Sequence, residues 1–231
     1  MVKPDGLDEP SRKTAPRLVL PSRGSLTESG PSDPLRYYYA PVIGRVFRAR
    51  IDTGLALLAG PYQRLLEVGF GSGLLLPTLA GIAGRLDGID LESDPEDVRA
   101  RIRALGVTVG DLERGDVQAL PFPDGVYDCV VAFSILEHLK AHELQRALGE
   151  VRRILVPGGH FLVGCPAVHK AMNLGFAAIG FRGIEQHHFS SIRDVLALAT
   201  PLFTVQKIAT LPSVAPLGWA PYNAVLLRAG G

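Results

Sequence analysis

Apolar residues follow two different spacings along this chain of 231 residues. Between residues 35 and 60, large apolar side chains recur every three or four positions, which is the spacing of one face of an amphipathic helix. These residues are Ile43, Val46, Phe47, Ile51, Leu55 and Leu58. Gly60 and Pro61 then end the segment. The pattern predicts a helix ahead of the first strand.

Downstream of that helix, short apolar runs alternate with helical spacing. The runs typical of buried strands cover residues 64–69, 84–90, 126–133 and 160–165. Strands that are separated by helices pair in parallel through right-handed crossovers. The alternation therefore predicts an α/β fold with a doubly wound sheet, which binds ligands beyond the carboxyl ends of its strands.

The helices between these strands carry their own start and stop signals. One helix is predicted over residues 72–83, opened by glycines, and another begins at Asp94, with proline and acidic residues in its first turn. Gly106 stops the second helix. A third helix has its apolar face at Leu144, Leu148, Val151 and Leu155, and residues 157–159 are predicted to turn the chain into the next strand.

The last quarter of the chain has a different pattern. One helix over residues 192–199 precedes two strand-like segments, 202–211 and 222–229, which are too closely connected for a helical crossover. We therefore expect them to pair antiparallel. The uncharged stretch from 208 to 227 is interrupted by three prolines, so we do not expect it to span a membrane as a helix.

The amino-terminal residues 1–34 are rich in proline, serine, glycine and charge. Few large apolar groups are present to offset the entropy of ordering them, so we expect a flexible tail followed by a single domain over residues 35–231. The first sixteen residues lack the apolar run of a secretory signal.

Charge and cysteine content narrow the function classes. The formal net charge of +1 predicts no nucleic-acid or anionic-membrane partner. Two cysteines, Cys129 and Cys165, without a Cys/His cluster predict neither a disulfide framework nor a metal site. A reducing, cytoplasmic setting is the default expectation.

A glycine loop follows the first predicted strand, with Gly69, Gly71 and Gly73 placed before a helix. Such a loop lets a nucleotide-type cofactor approach the backbone. The dinucleotide fingerprint requires a third glycine where this chain has Leu74, and the Gly-Lys-Ser/Thr ending of a phosphate-binding P-loop is absent. Glu67 lies two residues before the loop, where a carboxylate repels a pyrophosphate and attracts a sulfonium or ammonium group.

With Glu67, Gly69, Gly71 and Gly73, the sequence resembles the class I S-adenosylmethionine-dependent methyltransferases, whose motif is E/D-x-G-x-G-x-G. The resemblance covers about residues 35–229. Segments around Asp90, around Asp116 and from 122 to 159 agree with the family in order and spacing. It implies a Rossmann-like, seven-stranded, mostly parallel sheet with an antiparallel last strand, S-adenosylmethionine as cofactor, and methyl transfer to a small-molecule acceptor.

The resemblance also implies roles for individual residues. Glu67 and the loop residues Gly69, Phe70, Gly71 and Gly73 would contact the methionine end of the cofactor. Asp90, followed by Leu91, would bind the ribose hydroxyls. The adenine would contact Asp116 and Val117, and Phe133 would form part of the cofactor wall.

Candidate acid–base residues are three histidines: His138, which follows the strand predicted over residues 126–133, and the pair His187 and His188. For His138 a structural role competes with a catalytic one, and for the pair capping and surface roles compete. Tyr37, Tyr38 and Tyr39 either close over the cofactor or pack on the sheet. Residues 171–184 either line an apolar acceptor pocket or form a buried connection.

Two other functions compete with methyl transfer. One is a NAD-dependent oxidoreductase, which Leu74 and Glu67 disfavour. The other is a non-catalytic relative that binds the cofactor and acts as a partner subunit. The acceptor atom, which can be oxygen, nitrogen, carbon or sulfur, is left open by the sequence, as is the oligomeric state.

Overall fold

A computed structural model describes residues 15–30, 33–167 and 189–230 of the chain. Its α-helices in chain order are α1 (Leu35–Tyr38), α2 (Ile43–Leu55), α3 (Leu76–Ala80), α4 (Pro95–Ala104), α5 (Ala141–Ile154) and α6 (Ile192–Ala199). The strands are β1 (Tyr62–Val68), β2 (Ala83–Asp90), β3 (Leu112–Arg114), β4 (Tyr127–Phe133), β5 (Leu155–Pro166), β6 (Phe203–Leu211) and β7 (Tyr222–Ala229). Within these described ranges, no helix is long and apolar enough to cross a membrane.

The seven strands form one sheet in the order β3-β2-β1-β4-β5-β7-β6. The pairs on one side, from β3 to β5, are parallel, whereas β7 pairs antiparallel with both β5 and β6. The predicted doubly wound sheet with an antiparallel last strand is therefore confirmed. The order places the carboxyl ends of β1, β2 and β4 along one edge of the sheet.

Both faces of the sheet are buried because helices cover each of them. One apolar cluster joins β1 to α2, α3 and α4, and contains Leu65, Ile51 and Ile102. The opposite cluster joins β1 to α5 and α6, and contains Leu66 and Leu148. Adjacent residues of β1 thus belong to opposite cores, as the two-residue side-chain period of a strand requires.

Two local expectations differ from the structure. The helix predicted over residues 72–83 is confined to Leu76–Ala80, because residues 71–75 form turns and Pro77 lies in the first helical turn. The turn predicted at 157–159 lies inside β5 as an irregularity. There Tyr127 pairs with Leu155 and Cys129 pairs with His160, so β5 uses more residues than β4 over the same span.

Residues 15–30, predicted as part of a flexible tail, contact the domain. The N–H of Leu18 donates to Asp52 Oδ1 at 2.7 Å, and the N–H of Val19 donates to Thr78 Oγ1 at 2.9 Å. Leu26 is buried in the core beside α2. The tail prediction counted few apolar residues, but Leu18, Leu20 and Leu26 pack against the domain, whereas Val19 is 58% exposed. Residues 1–14 lie outside the described ranges, so the boundary at residue 35 stays a prediction.

A buried carboxylate connects β1, β2 and β4. The side chain of Asp87 on β2 is fully buried and accepts hydrogen bonds from Arg64 at 2.8 Å, Arg85 at 2.9 Å and the Tyr127 hydroxyl at 3.0 Å. The N–H of Asp111 donates to the same carboxylate at 2.8 Å. Burial raises the pKa of Asp87, but these donors together lower it below its usual range.

Candidate functional site

The glycine loop leaves β1 with three glycines in the left-handed region, with φ values of 78° at Gly69, 51° at Gly71 and 82° at Gly73. Other residues adopt this conformation only under strain. At Gly69 there is a second reason, because an added Cβ would overlap the side chain of Ile135, which follows β4. Glycine at this position therefore lets the segment after β4 approach the loop closely.

Glu67 is the second-last residue of β1 and lies two positions before Gly69, the first glycine of the loop. Its side chain is buried, with the residue 3% exposed, and its Oε2 has no hydrogen-bond partner among the described residues. Burial and the nearby charge of Asp90 raise the pKa of Glu67 well above its usual range. An unpartnered carboxylate is costly inside a protein, so a cationic ligand at the loop would stabilise it.

Asp90 joins the end of β2 to the loop. One carboxylate oxygen, Oδ2, accepts from the N–H of Gly71 at 2.8 Å, and the other, Oδ1, accepts from the N–H groups of Glu92 and Ser93 at 2.9 and 2.8 Å. Oδ2 has a single donor and keeps capacity for a ligand hydroxyl. The next residue, Leu91, has an exposed apolar side chain.

Asp116 lies near Asp90, because the N–H of Gly115 donates to the carbonyl of Asp90 at 2.9 Å. Its carboxylate accepts from the backbone and side chain of Gln118, at 2.9 and 3.1 Å. Val117 is buried in the core on the α5 side. The residues predicted to contact ribose and adenine are therefore adjacent in the structure, at the carboxyl end of β2.

Two predicted cofactor contacts have side chains that pack into the core. Phe70 is buried beside Gly88, where an added Cβ would lie 2.9 Å from the ring. Phe133 packs between the backbones of Gly54 and Gly164. Phe70 can therefore contact a cofactor only through its backbone. Phe133 packs the carboxyl end of β4 against α2 and β5.

Of the three candidate histidines, only His138 lies within the described residues. His138 ends a 3-10 helix, Leu136–His138, that directly follows β4, and it is exposed. His187, His188 and the segment 171–184 lie outside the described residues. Within the described ranges, no group of histidine, cysteine and acidic side chains has the arrangement of a metal site.

Sequence reasoning missed Asp33, which lies over the loop. Asp33 Oδ2 would be 3.7 Å from a Cβ added at Gly71, and the same oxygen accepts from the N–H and hydroxyl of Ser29, both at 3.0 Å. Tyr38, next to it, has its pKa raised to about 12 by burial, with Arg50 opposing and Asp33 and Glu67 reinforcing the shift. The carboxylates around the loop therefore create a negative potential that favours a cation.

Sequence reasoning also missed a polar cluster at the ends of β4, β5 and β7, which we call the sheet-end cluster. It consists of Arg50, Ser134, Glu137 and Tyr222. Arg50 donates through Nη2 to Ser134 Oγ at 2.9 Å, and its guanidinium lies 4.5 Å from the centroid of the Tyr222 ring. No local motif indicates this cluster, because its members come from distant parts of the sequence.

Comparison with known proteins identifies relatives of this region. A family model described as a methyltransferase domain matches residues 66–163. A protein of Mycolicibacterium smegmatis named "probable S-adenosylmethionine-dependent methyltransferase" is 37% identical over 114 residues, which are 46% of this chain and 42% of that protein. The demethylmenaquinone methyltransferase of Thermus thermophilus is 35% identical over 113 residues, covering 47% and 49% of the two chains. The chain thus spans less than half the length of these curated relatives.

Similarity to solved structures extends over more of the chain. The N-methyltransferase NodS of Bradyrhizobium japonicum, crystallised with S-adenosylhomocysteine, matches with a TM-score of 0.65 and 18% identity. The match covers 88% of this chain and 95% of NodS. At this level of identity the similarity shows the fold, which the two proteins share almost from end to end.

Proposed function

We propose that this chain is a class I S-adenosylmethionine-dependent methyltransferase and that it transfers a methyl group to a small-molecule acceptor. The observation that carries the proposal is the buried carboxylate of Glu67, whose Oε2 has no hydrogen-bond partner among the described residues, beside a loop of three left-handed glycines. Such a site favours a positively charged nucleoside over a pyrophosphate. The relatives named above include a demethylmenaquinone methyltransferase, which supports a small acceptor.

S-adenosylmethionine, when bound, supplies a methyl group on a positively charged sulfur. In our proposal Glu67 accepts a hydrogen bond from the ammonium group and the glycine loop provides backbone N–H donors. Asp90 accepts hydrogen bonds from the ribose hydroxyls, with Leu91 against the base. Asp116 and the backbone of Val117 hold the adenine. These residues bind and orient the cofactor, and orientation is a major contribution to a displacement reaction.

The competing functions make different demands on the same residues. A NAD-dependent oxidoreductase would place a diphosphate near the buried carboxylate of Glu67, which is electrostatically unfavourable. A non-catalytic relative would keep the cofactor site without turnover. We further propose a cytoplasmic setting without a nucleic-acid partner, in keeping with the two buried free thiols and the net charge of +1.

The test of the activity is methyl transfer from radiolabelled S-adenosylmethionine to a panel of phenols, alcohols, amines and lipophilic acceptors. Transfer to at least one small molecule is the expected result. Absence of transfer to the whole panel, by a protein that binds S-adenosylhomocysteine, would favour the non-catalytic alternative.

The replacement Asp90→Ala is expected to weaken S-adenosylhomocysteine binding by about 1–3 kcal/mol, because a charged acceptor for the ribose hydroxyls is lost. The measurement is a calorimetric titration of the folded variant, with thermal unfolding as the check on its integrity. Asp97→Asn, on the exposed side of α4, is the matched control and should bind like wild type. Unchanged affinity in Asp90→Ala would remove this residue from the site.

A further inference from the structure

The sheet-end cluster contains polar atoms that the described protein leaves without partners. Glu137 and Tyr222 are both fully buried. Among the described residues, no group makes a well-formed hydrogen bond to the carboxylate oxygens of Glu137 or to the hydroxyl of Tyr222, although the Cys165 thiol lies beside Glu137 and the Ser134 hydroxyl lies beside Tyr222. Arg50 Nε is likewise buried without one. Buried polar groups rarely lack well-formed hydrogen bonds, so three such side chains at one location leave hydrogen-bonding capacity that a polar ligand can use.

The charge of Arg50 points to an oxyanion. In the described part of the chain no carboxylate lies within ion-pair distance of its guanidinium, and its Nη2 donates a hydrogen bond to the hydroxyl of Ser134. The guanidinium lies 4.9 Å from the centroid of the Phe47 ring and 4.5 Å from that of Tyr222. Two aromatic rings close to a cation suit a flat, aromatic acceptor whose oxygen carries negative charge.

Backbone strain marks the same place. Ser134 has a φ of 57° although it is not a glycine, and its N–H donates to the carbonyl of Gly164 at 2.7 Å. This conformation is costly for a residue with a Cβ, and it persists at functional sites because the surroundings enforce it. It turns the Ser134 side chain to Arg50 and starts the 3-10 helix that carries Glu137.

Glu137 has the properties of a proton acceptor. Burial raises its pKa, and the groups that act on it are His138, Arg50, the Cys165 thiol and the Tyr222 hydroxyl. A carboxylate whose pKa is raised accepts a proton more readily than an ordinary exposed one, which suits it to act as a general base. Its carbonyl also accepts from the N–H groups of Phe189 and Ser190, at 2.7 and 3.1 Å, so Glu137 is fixed from two sides.

We infer that the sheet-end cluster binds the acceptor, that this acceptor is a phenol or enol, and that Glu137 removes its hydroxyl proton while Arg50 stabilises the resulting oxyanion. The inference rests on the proposed function, which it specifies. In this step the acceptor O–H bond breaks, its electron pair stays on oxygen, and the proton goes to the Glu137 carboxylate. Tyr222 and Ser134 position the oxyanion and the guanidinium.

The first experiment measures binding without turnover. 4-Nitrophenol, which is coloured only as the phenolate, is titrated into the protein saturated with S-adenosylhomocysteine. Wild type and Glu137→Gln should both bind it as phenolate, because glutamine imitates the protonated carboxyl. Arg50→Met should lose about 10-fold or more in affinity, and Arg50→Lys should lose less. Equal affinity of Arg50→Met and wild type, or binding of the uncharged phenol, would overturn the inference.

The second experiment compares two acceptors that differ in acidity. Glu137→Gln should slow methylation of phenol by about 100-fold or more, because a weakly acidic hydroxyl needs a base. It should slow methylation of 4-nitrophenol only slightly, because this acceptor is already ionised near neutral pH. A similar loss on both acceptors would show a merely structural role and overturn the inference. Glu96→Gln, an exposed residue of α4, serves as the control for the substitution.

The two proposals fail in different ways. Methylation of amines but of no phenol or enol, with intact cofactor binding, would overturn the inference and leave the proposed function in place. Absence of transfer to every acceptor would contradict the proposed function, and the phenolate titration with the Arg50 variants would still support or overturn the acceptor site.

Discussion

We expect the replacement of Asp87 by alanine to lower the free energy of unfolding by about 3 kcal/mol. The variant leaves two guanidinium groups and the buried hydroxyl of Tyr127 without their shared acceptor. Removal of one partner from a buried ion pair costs about 3–5 kcal/mol, and the lower end applies because Arg64 and Arg85 are 32% and 45% exposed and regain water. Chemical denaturation of both proteins near neutral pH measures the difference.

The same stabilisation depends on pH with a defined sign. The folded-state pKa of Asp87 is lowered, so its contribution is present above the unfolded pKa, at about 3.9, and is lost as the pH falls through the folded value. The stability difference between wild type and Asp87→Ala should therefore shrink under acid conditions. Asp97→Asn, whose carboxylate pairs with Arg101 on the surface, should change stability little. Similar losses of unfolding free energy in Asp87→Ala and Asp97→Asn would contradict the claim that burial makes the Asp87 ion pairs more stabilising than a surface pair.

Replacing Glu67 by glutamine is expected to change stability and cofactor affinity in opposite directions. The folded-state pKa of Glu67 is raised, so ionisation opposes folding increasingly as the pH rises from the unfolded value through the folded one. Glutamine removes this cost, and the free protein should be more stable near neutral pH. Binding of S-adenosylmethionine should weaken by about 1.5–3 kcal/mol, because a charged hydrogen bond to the ammonium group is lost.

Proton release distinguishes the loss of a charged hydrogen bond in Glu67→Gln from a structural distortion of the binding site by the substitution. A cation next to Glu67 lowers its pKa, so binding to wild type should release protons at pH values between the free and the bound pKa of Glu67, and binding to Glu67→Gln should not. Calorimetric titrations in two buffers with different ionisation enthalpies count the protons. Equal proton counts for the two proteins would refute the assignment of Glu67, and Glu96→Gln provides the exposed control.

The topology and the glycine loop could be predicted because their signals are local. Each strand and helix has its own spacing of apolar residues, and glycines interrupt β1 where the loop begins. The antiparallel end of the sheet followed from the short connection between 211 and 222. The extent of α3 could not be predicted, because the turns at 71–75 have the same apolar composition as a helix.

The sheet-end cluster and the docked residues 15–30 depend on contacts across long stretches of sequence. Arg50, Glu137 and Tyr222 lie on three separate elements, and their proximity follows only from the strand order that places β7 beside β5. The docked segment has the composition of a flexible chain, and Leu26 becomes informative only when its burial is known. Neither feature has a periodic signal.

A calorimetric titration of the wild-type protein with S-adenosylmethionine and, separately, with NAD tests the central claim most directly. The claim predicts binding of S-adenosylmethionine at one site per chain, accompanied by proton release from Glu67, and no binding of NAD under the same conditions. Binding of NAD without binding of S-adenosylmethionine would contradict it.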